Sequence, residues 1–250
     1  MTEKNTKANW YYLIDGLRGL ALLNMVAFHF LYDVYIIFGQ DPAWYQSPMI
    51  QAWQQYICIS FIFISGISWH FSRNNRKRGL QLNLYGLCIT AATLIFLPSQ
   101  VIWFGILNFI GCATLLMNLI HRRLQKWNAA AGIFLSLFLF VLCRNVPDGY
   151  LSLGPLKFLS LPGWLYESKV LTFLGMPYKG FFSSDFFPML PWFFLFLAGY
   201  WFWDLVCRKD SIRRLFQYRI PVLSPIGTKT IWIYLIHQPV LYLVSELLFH

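Results

Sequence analysis

Three ionisable side chains share one long apolar run near the start of the chain: Arg18, His29 and Asp33. Arg18 and His29 are eleven residues apart, almost three whole turns of an α-helix. They therefore lie on nearly the same face, roughly 16 Å apart along the axis. Asp33 follows His29 by one further turn on the same stripe. A histidine held by a carboxylate is a good general base, because the carboxylate fixes the tautomer and favours the imidazolium formed on proton uptake. A cation at the mouth of such a stripe suits an anionic ligand. The plainer reading has Arg18 snorkelling to the surface while His29 and Asp33 tie helices together. Three charges on one apolar stripe favour chemistry, since each is expensive in lipid. The same set would also serve a proton-coupled transporter or exporter.

Two further positions are candidates for substrate contact. His237 stands in Tyr234-Leu-Ile-His-Gln-Pro239 of the last apolar run, where Pro239 frees a backbone carbonyl that His237 or Gln238 could satisfy. Asp185 opens Asp185-Phe-Phe-Pro-Met-Leu-Pro-Trp192, either as an N-cap or as a contact for an acceptor. His70 and His121 flank basic loops and read as interfacial, and His250 is terminal. No cluster has metal-ligand spacing, and no phosphate-binding loop appears.

What positions these residues is a membrane bundle. Apolar residues make up 58% of the 250-residue chain and charged residues 12%, where a soluble domain is about half apolar and roughly a quarter charged. The apolar residues come in runs of spanning length, too long and too poor in alternation for barrel strands. Seven runs are predicted as transmembrane helices: about Gly16–Phe38, Ile50–Phe71, Leu80–Leu97, Gln100–Ile120, Ala129–Leu142, Phe187–Val206 and Ile226–Phe249. The fold class expected is all-α, a polytopic helical bundle forming one integral-membrane domain over residues 1–250. The stretch from Val146 to Asp185 carries four prolines and is too apolar for a solvated loop. It is expected to be interfacial or re-entrant, with room for an eighth, broken helix around Lys169–Pro177.

The net charge of +10 belongs mainly to short loops. Lys4, Lys7 and Arg18, then Arg73, Arg76, Lys77 and Arg78, then Arg122, Arg123 and Lys126, and finally Arg208 to Lys229 all fall on one side if there are seven crossings. Arg144, Lys157, Lys169 and Lys179 fall on the other. The positive-inside rule then puts the N-terminus in the cytoplasm and the C-terminus outside. No nucleic-acid recognition module is present, and the lipid bilayer is the expected partner. The N-terminus lacks a cleavable-signal pattern. Five scattered cysteines, Cys58, Cys88, Cys112, Cys143 and Cys207, read as small buried hydrophobes.

Five motifs in order carry a resemblance. Ile14-Asp-Gly-Leu-Arg-Gly-Leu-Ala21, continuing to Ala-Phe-His29-Phe-Leu-Tyr-Asp33, resembles the transmembrane acyltransferase superfamily. With Phe-Ile-Phe-Ile-Ser-Gly66, Trp-Phe-Gly105-Ile-Leu-Asn-Phe-Ile-Gly111, Asp185 to Trp192 and Tyr234 to Pro239, the chain is similar to the bacterial family related to the catalytic domain of heparan-α-glucosaminide N-acetyltransferase. The resemblance implies acyl transfer across a membrane, the plasma (inner) membrane of a bacterium. The donor would be a cytoplasmic acyl-coenzyme A, with acetyl the usual group. The acceptor would be an amine or hydroxyl of a cell-envelope sugar or glycolipid. It implies no metal and is compatible with a homodimer. Arg18 and His29 match the superfamily's arginine and first-helix histidine, linked to donor binding and catalysis, with His29 as general base or transient acyl carrier and Asp33 orienting it. The lysosomal member has asparagine at the His29 position and a histidine in the next loop. Gly39–Met49 here has none.

Overall fold

In a computed structural model the structure describes residues 10–206 and 208–249; Lys4, Lys7, Cys207 and His250 lie outside them. The chain runs α1 (Tyr12–Tyr32), a π-helical turn (Asp33–Ile37), α2 (Pro42–Tyr45), α3 (Pro48–Ser68), α4 (Asn75–Phe96), α5 (Ile106–Leu124) and α6 (Ala129–Leu142). A hairpin of β1 (Tyr150–Leu153) and β2 (Leu156–Ser160) follows, then α7 (Lys169–Leu174), α8 (Met189–Val206), α9 (Asp210–Leu215), α10 (Leu223–Thr228) and α11 (Thr230–Phe249). Each of the seven predicted runs contains a long helix, although α5 begins only at Ile106 and the last run is divided between α10 and α11, and the protein is an all-α polytopic membrane bundle.

Six of the seven are long and apolar enough to cross a bilayer. The exception is α5, whose last turn carries His121, Arg122 and Arg123. These basic groups suit a helix C-terminus, where the macrodipole is negative, and they shorten the apolar stretch. The Pro-rich segment resolves into the antiparallel hairpin, a 3-10 turn and α7. At six residues, about 9 Å long, α7 cannot span, so the eighth helix exists only as one and a half turns.

By Cα packing the chain divides into two units. One comprises the ends of the chain, up to Ile64 and from Val206; the other is Ser65–Leu205.

Within Ser65–Leu205, small residues let helices touch. Gly66 meets the Phe196 carbonyl, Gly132 the indole of Trp201, Gly86 the Asn108 side chain and Gly111 that of Asn83. Asn83 Nδ2 donates to Gly79 O (2.9 Å), Asn108 Nδ2 to Asn83 O (3.4 Å) and Cys112 Sγ to Asn83 Oδ1 (3.2 Å). Polar bridges and small residues hold helices together where lipid removes any apolar driving force between them. The Gly105 to Gly111 motif is thereby accounted for as a packing motif.

The ends of α3, α5 and α8 meet at one pole of this unit. The Trp69 ring is 5.0 Å from that of His121, and His70 stacks on Tyr200 at 4.4 Å. His70 Nε2 lies 3.1 Å from Tyr200 O and 3.7 Å from Asp204 Oδ1. The basic loops that follow α3 and α5 therefore share a pole, as alternating crossings require. The opposite pole joins residues 100–106 to 183–187. Ser184 Oγ donates to Gln100 O (2.8 Å), and Ser183 Oγ accepts from Trp103 N–H (2.9 Å).

In the other unit α1 lies directly against α10. Gly16 and Gly19 on α1 face Ile220, Leu223 and Ser224, and Gly227 of α10 faces the Asp15 backbone. Ser224 Oγ donates to Tyr12 O (2.9 Å) and accepts from Ile220 N–H (3.1 Å). Half of the Ile14 to Ala21 motif thus exists to bring two backbones together.

Candidate functional site

The first half of α1 holds Arg18 in a fixed arrangement. Its Nη1 donates to Asp15 Oδ1 at 2.6 Å, one turn back, and approaches Gly227 O at 3.5 Å. Asp15 is buried, and its other oxygen accepts from Trp10 Nε1 at 2.7 Å. A charge-assisted bond between a guanidinium and an already anchored carboxylate has little freedom left. Asp15 stands three residues before Arg18, a helical pairing distance, but lies just before the stripe that Arg18, His29 and Asp33 define.

Further along, the helix changes hand-holds. The Asp33 N–H reaches the carbonyls of His29 and Phe30, and Phe38 N–H bonds to Asp33 O at 2.9 Å, an i to i+5 bond. Such π-helical turns are rare and concentrate at functional sites. This one begins at the buried aspartate: Asp33 has no exposed surface.

The neighbour of this turn is α11. His29 and His237 stand edge to face, with ring centroids 5.0 Å apart. Gln238 Nε2 donates to Asp33 Oδ1 at 2.7 Å. His237 Nδ1 lies 2.6 Å from Tyr234 O, so the histidine reaches back to a carbonyl of its own helix. Its Nε2, together with Asp33 Oδ2 and Gln238 Oε1, is buried without a hydrogen bond to any of the described residues. The loop before α3 flanks the cluster. Tyr45 packs on Phe28 (5.4 Å) and on Tyr32 (5.8 Å), and Trp53 covers Phe28 from α3 (5.6 Å) while donating to Asn24 Oδ1 (2.9 Å).

Of the residues expected to carry chemistry, the structure brings His29 against His237 and Asp33 against Gln238, one turn apart along α1. Arg18 sits three turns away on the same helix, as the spacing predicts. The expected bond between Asp33 and His29 is replaced: the oxygen of Asp33 that has a partner is held by Gln238. Gln238 was considered only for the carbonyl freed by Pro239, and the π turn has no signature in the sequence.

Asp185 belongs to the other unit, at the N-terminus of α5. Its Oδ2 accepts from Ile106 N–H at 3.4 Å, and Gly105 leaves room for the carboxyl. It caps a helix, but α5 rather than the α8 that it precedes in sequence. A carboxylate suits the positive end of a helix dipole, yet burial pushes Asp185 up to about 6, and the Ile106 bond only partly opposes this. The folded protein thus holds this proton more tightly than the unfolded chain. The stabilising contribution of Asp185 is complete below about pH 4 and is lost as pH rises through about 6. Asp185→Asn is expected to melt higher than the parent at pH 8, with the advantage gone by about pH 4. Thermal denaturation in detergent at both pH values measures it.

Neither the curated proteins nor the solved structures contain a match to this sequence. The family model for the catalytic region of heparan-alpha-glucosaminide N-acetyltransferase matches residues 11–239. That range takes in the Arg18 anchor, the π turn and the His237-Gln238 pair, and the chain belongs to that family.

Proposed function

We propose that the protein transfers an acyl group, acetyl foremost, from cytoplasmic acyl-coenzyme A to an amine or hydroxyl of a cell-envelope sugar or glycolipid. The observation that carries this reading is the meeting of His29 with His237 beside a buried carboxylate, inside a chain of an acetyltransferase family. Two imidazoles in contact can divide labour that a single one would have to do in turn. In this reading His29 acts on the acyl group, with Asp33 fixing the end of α1 through Gln238. Arg18 serves the anionic part of the donor. Its guanidinium is oriented in advance by Asp15, which limits the entropy lost on binding. The basic loops at the shared pole of α3 and α5 raise the local concentration of a phosphate-bearing donor. The reading puts them, with the N-terminus, in the cytoplasm and the C-terminus outside.

The test is turnover by purified protein in nanodiscs. Acetyl-coenzyme A is supplied with amino sugars or polyols, and free coenzyme A is followed. Release that rises with acceptor concentration, with acetylated acceptor recovered in equal amount, supports acyl transfer. Folded protein that neither binds nor turns over any acyl-coenzyme A removes the donor. Acceptor movement across the bilayer without acylation would make the protein an exporter.

A further inference from the structure

The hydrogen bond between His237 and Tyr234 decides where the imidazole proton sits. A backbone carbonyl can only accept, so at 2.6 Å from Tyr234 O the His237 Nδ1 carries the hydrogen. In the neutral ring Nε2 then keeps its lone pair. That nitrogen is buried and has no partner among the described residues. The same chemistry governs its neighbours. Ionised Asp33 can only accept, so Gln238 must turn its amide NH2 toward Oδ1, which leaves Gln238 Oε1 as an acceptor. Asp33 Oδ2 is an acceptor as well. Three buried acceptors, His237 Nε2, Asp33 Oδ2 and Gln238 Oε1, thus lie where α1 and α11 meet, with no donor for any of them among the described residues. Buried polar atoms of this kind are normally satisfied, and a ligand that satisfies these must bring hydrogens. A thioester carbonyl brings none; an amine or a hydroxyl does.

We infer that His237 is a second catalytic histidine, the base that takes the proton of the acceptor substrate, and that Tyr234 O is what sets its tautomer. The inference rests on the acyl-transfer reading. In the step assigned to it, the N–H or O–H bond of the acceptor breaks and the proton passes to Nε2. The lone pair released forms the new bond to the acyl carbon. The carbon–sulfur bond of the donor breaks, and the sulfur leaves as thiolate, which takes up the proton from Nε2. Asp33 Oδ2 and Gln238 Oε1 are left to accept the second hydrogen of an amine, or the hydrogens of neighbouring hydroxyls where the acceptor is a hydroxyl. His29, 5.0 Å from His237 ring to ring, is left to act on the acyl side. The paired histidines thus face two substrates with different needs.

Two measurements on the same nanodisc preparation test this. Nitrogen NMR of protein labelled at histidine reports the tautomer of each ring, and His237→Asn assigns the signal by its loss. The Nδ1–H form is expected at His237; an Nε2–H form would overturn the assignment. In turnover, His237→Asn is expected to bind acetyl-coenzyme A as the parent does and to lose acceptor-stimulated release by roughly 100-fold or more. Added imidazole should restore part of the rate in His237→Ala. A His237→Asn protein as active as its parent refutes the role of His237 while leaving acyl transfer standing. A parent protein that turns over no acyl-coenzyme A refutes acyl transfer itself, and the base with it.

Discussion

His29→Ala is expected to lower acyl transfer by roughly 10²–10⁴-fold, the usual contribution of a positioned acid–base group, while the protein stays folded. Both halves follow from where His29 sits. It is partly accessible within α1 and its recorded ring contacts are with Phe28 and His237. Alanine removes those contacts but is the best helix former, and α1 keeps its anchorage elsewhere, through Gly16, Gly19 and the Asp33–Gln238 bond. Stability should therefore change by about 1 kcal/mol or less. The useful comparison is with His29→Gln, which keeps a polar side chain of similar reach but cannot take a proton near neutral pH. If the glutamine variant is as inactive as alanine, with donor binding intact, the loss is chemical. If glutamine restores the rate, His29 only positions its neighbours, and the acyl side of the reaction must be sought elsewhere. Turnover and donor affinity, measured together on both variants, separate these outcomes.

The bundle was legible because lipid leaves few ways to satisfy a backbone. Seven long apolar runs had to be helical; each holds a long helix, and six of these are long and apolar enough to span. Charge at the ends of the runs was less transparent. The predicted fourth run ends at Ile120 with Arg122 and Arg123 in the loop beyond it, and the structure makes them the last helical turn of α5. The hairpin at Tyr150–Ser160 was hidden, since prolines and glycines mark irregular backbone without saying how it pairs. For the site, helical periodicity put Arg18, His29 and Asp33 on one stripe. It could not say that α11 would lie along that stripe, so the meeting of His29 with His237 was out of reach. The π turn was equally hidden, because a register shift of one residue leaves no compositional trace. Asp185 shows the same limit: its type announced a cap, but only the tertiary fold names the helix that it caps.

Gly227→Ala is expected to cost more than any other single methyl group added to the α1–α10 pair. A Cβ on Gly227 would land on the Asp15 carbonyl oxygen and crowd its carbon, both backbone atoms with no side-chain freedom to yield. The helices would have to part, and overpacking of this kind costs about 1–3 kcal/mol, occasionally more. The damage should reach function even where the protein survives. Asp15 is the anchor of Arg18, Gly227 O lies 3.5 Å from the Arg18 guanidinium, and α1 carries His29 toward its other end. A displacement of about 1 Å in reacting groups is enough to lose on the order of 10²-fold in rate. Gly227→Ala should therefore melt well below the parent and turn over poorly at temperatures where it remains folded. Gly163→Ala is the control. No atom lies within 4 Å of the added Cβ there, and φ is negative, so the same change of residue should leave melting and turnover as they were. Equal behaviour of the two variants would mean that α1 and α10 are not in backbone contact. The glycines at positions 16, 19 and 227 would then need another explanation.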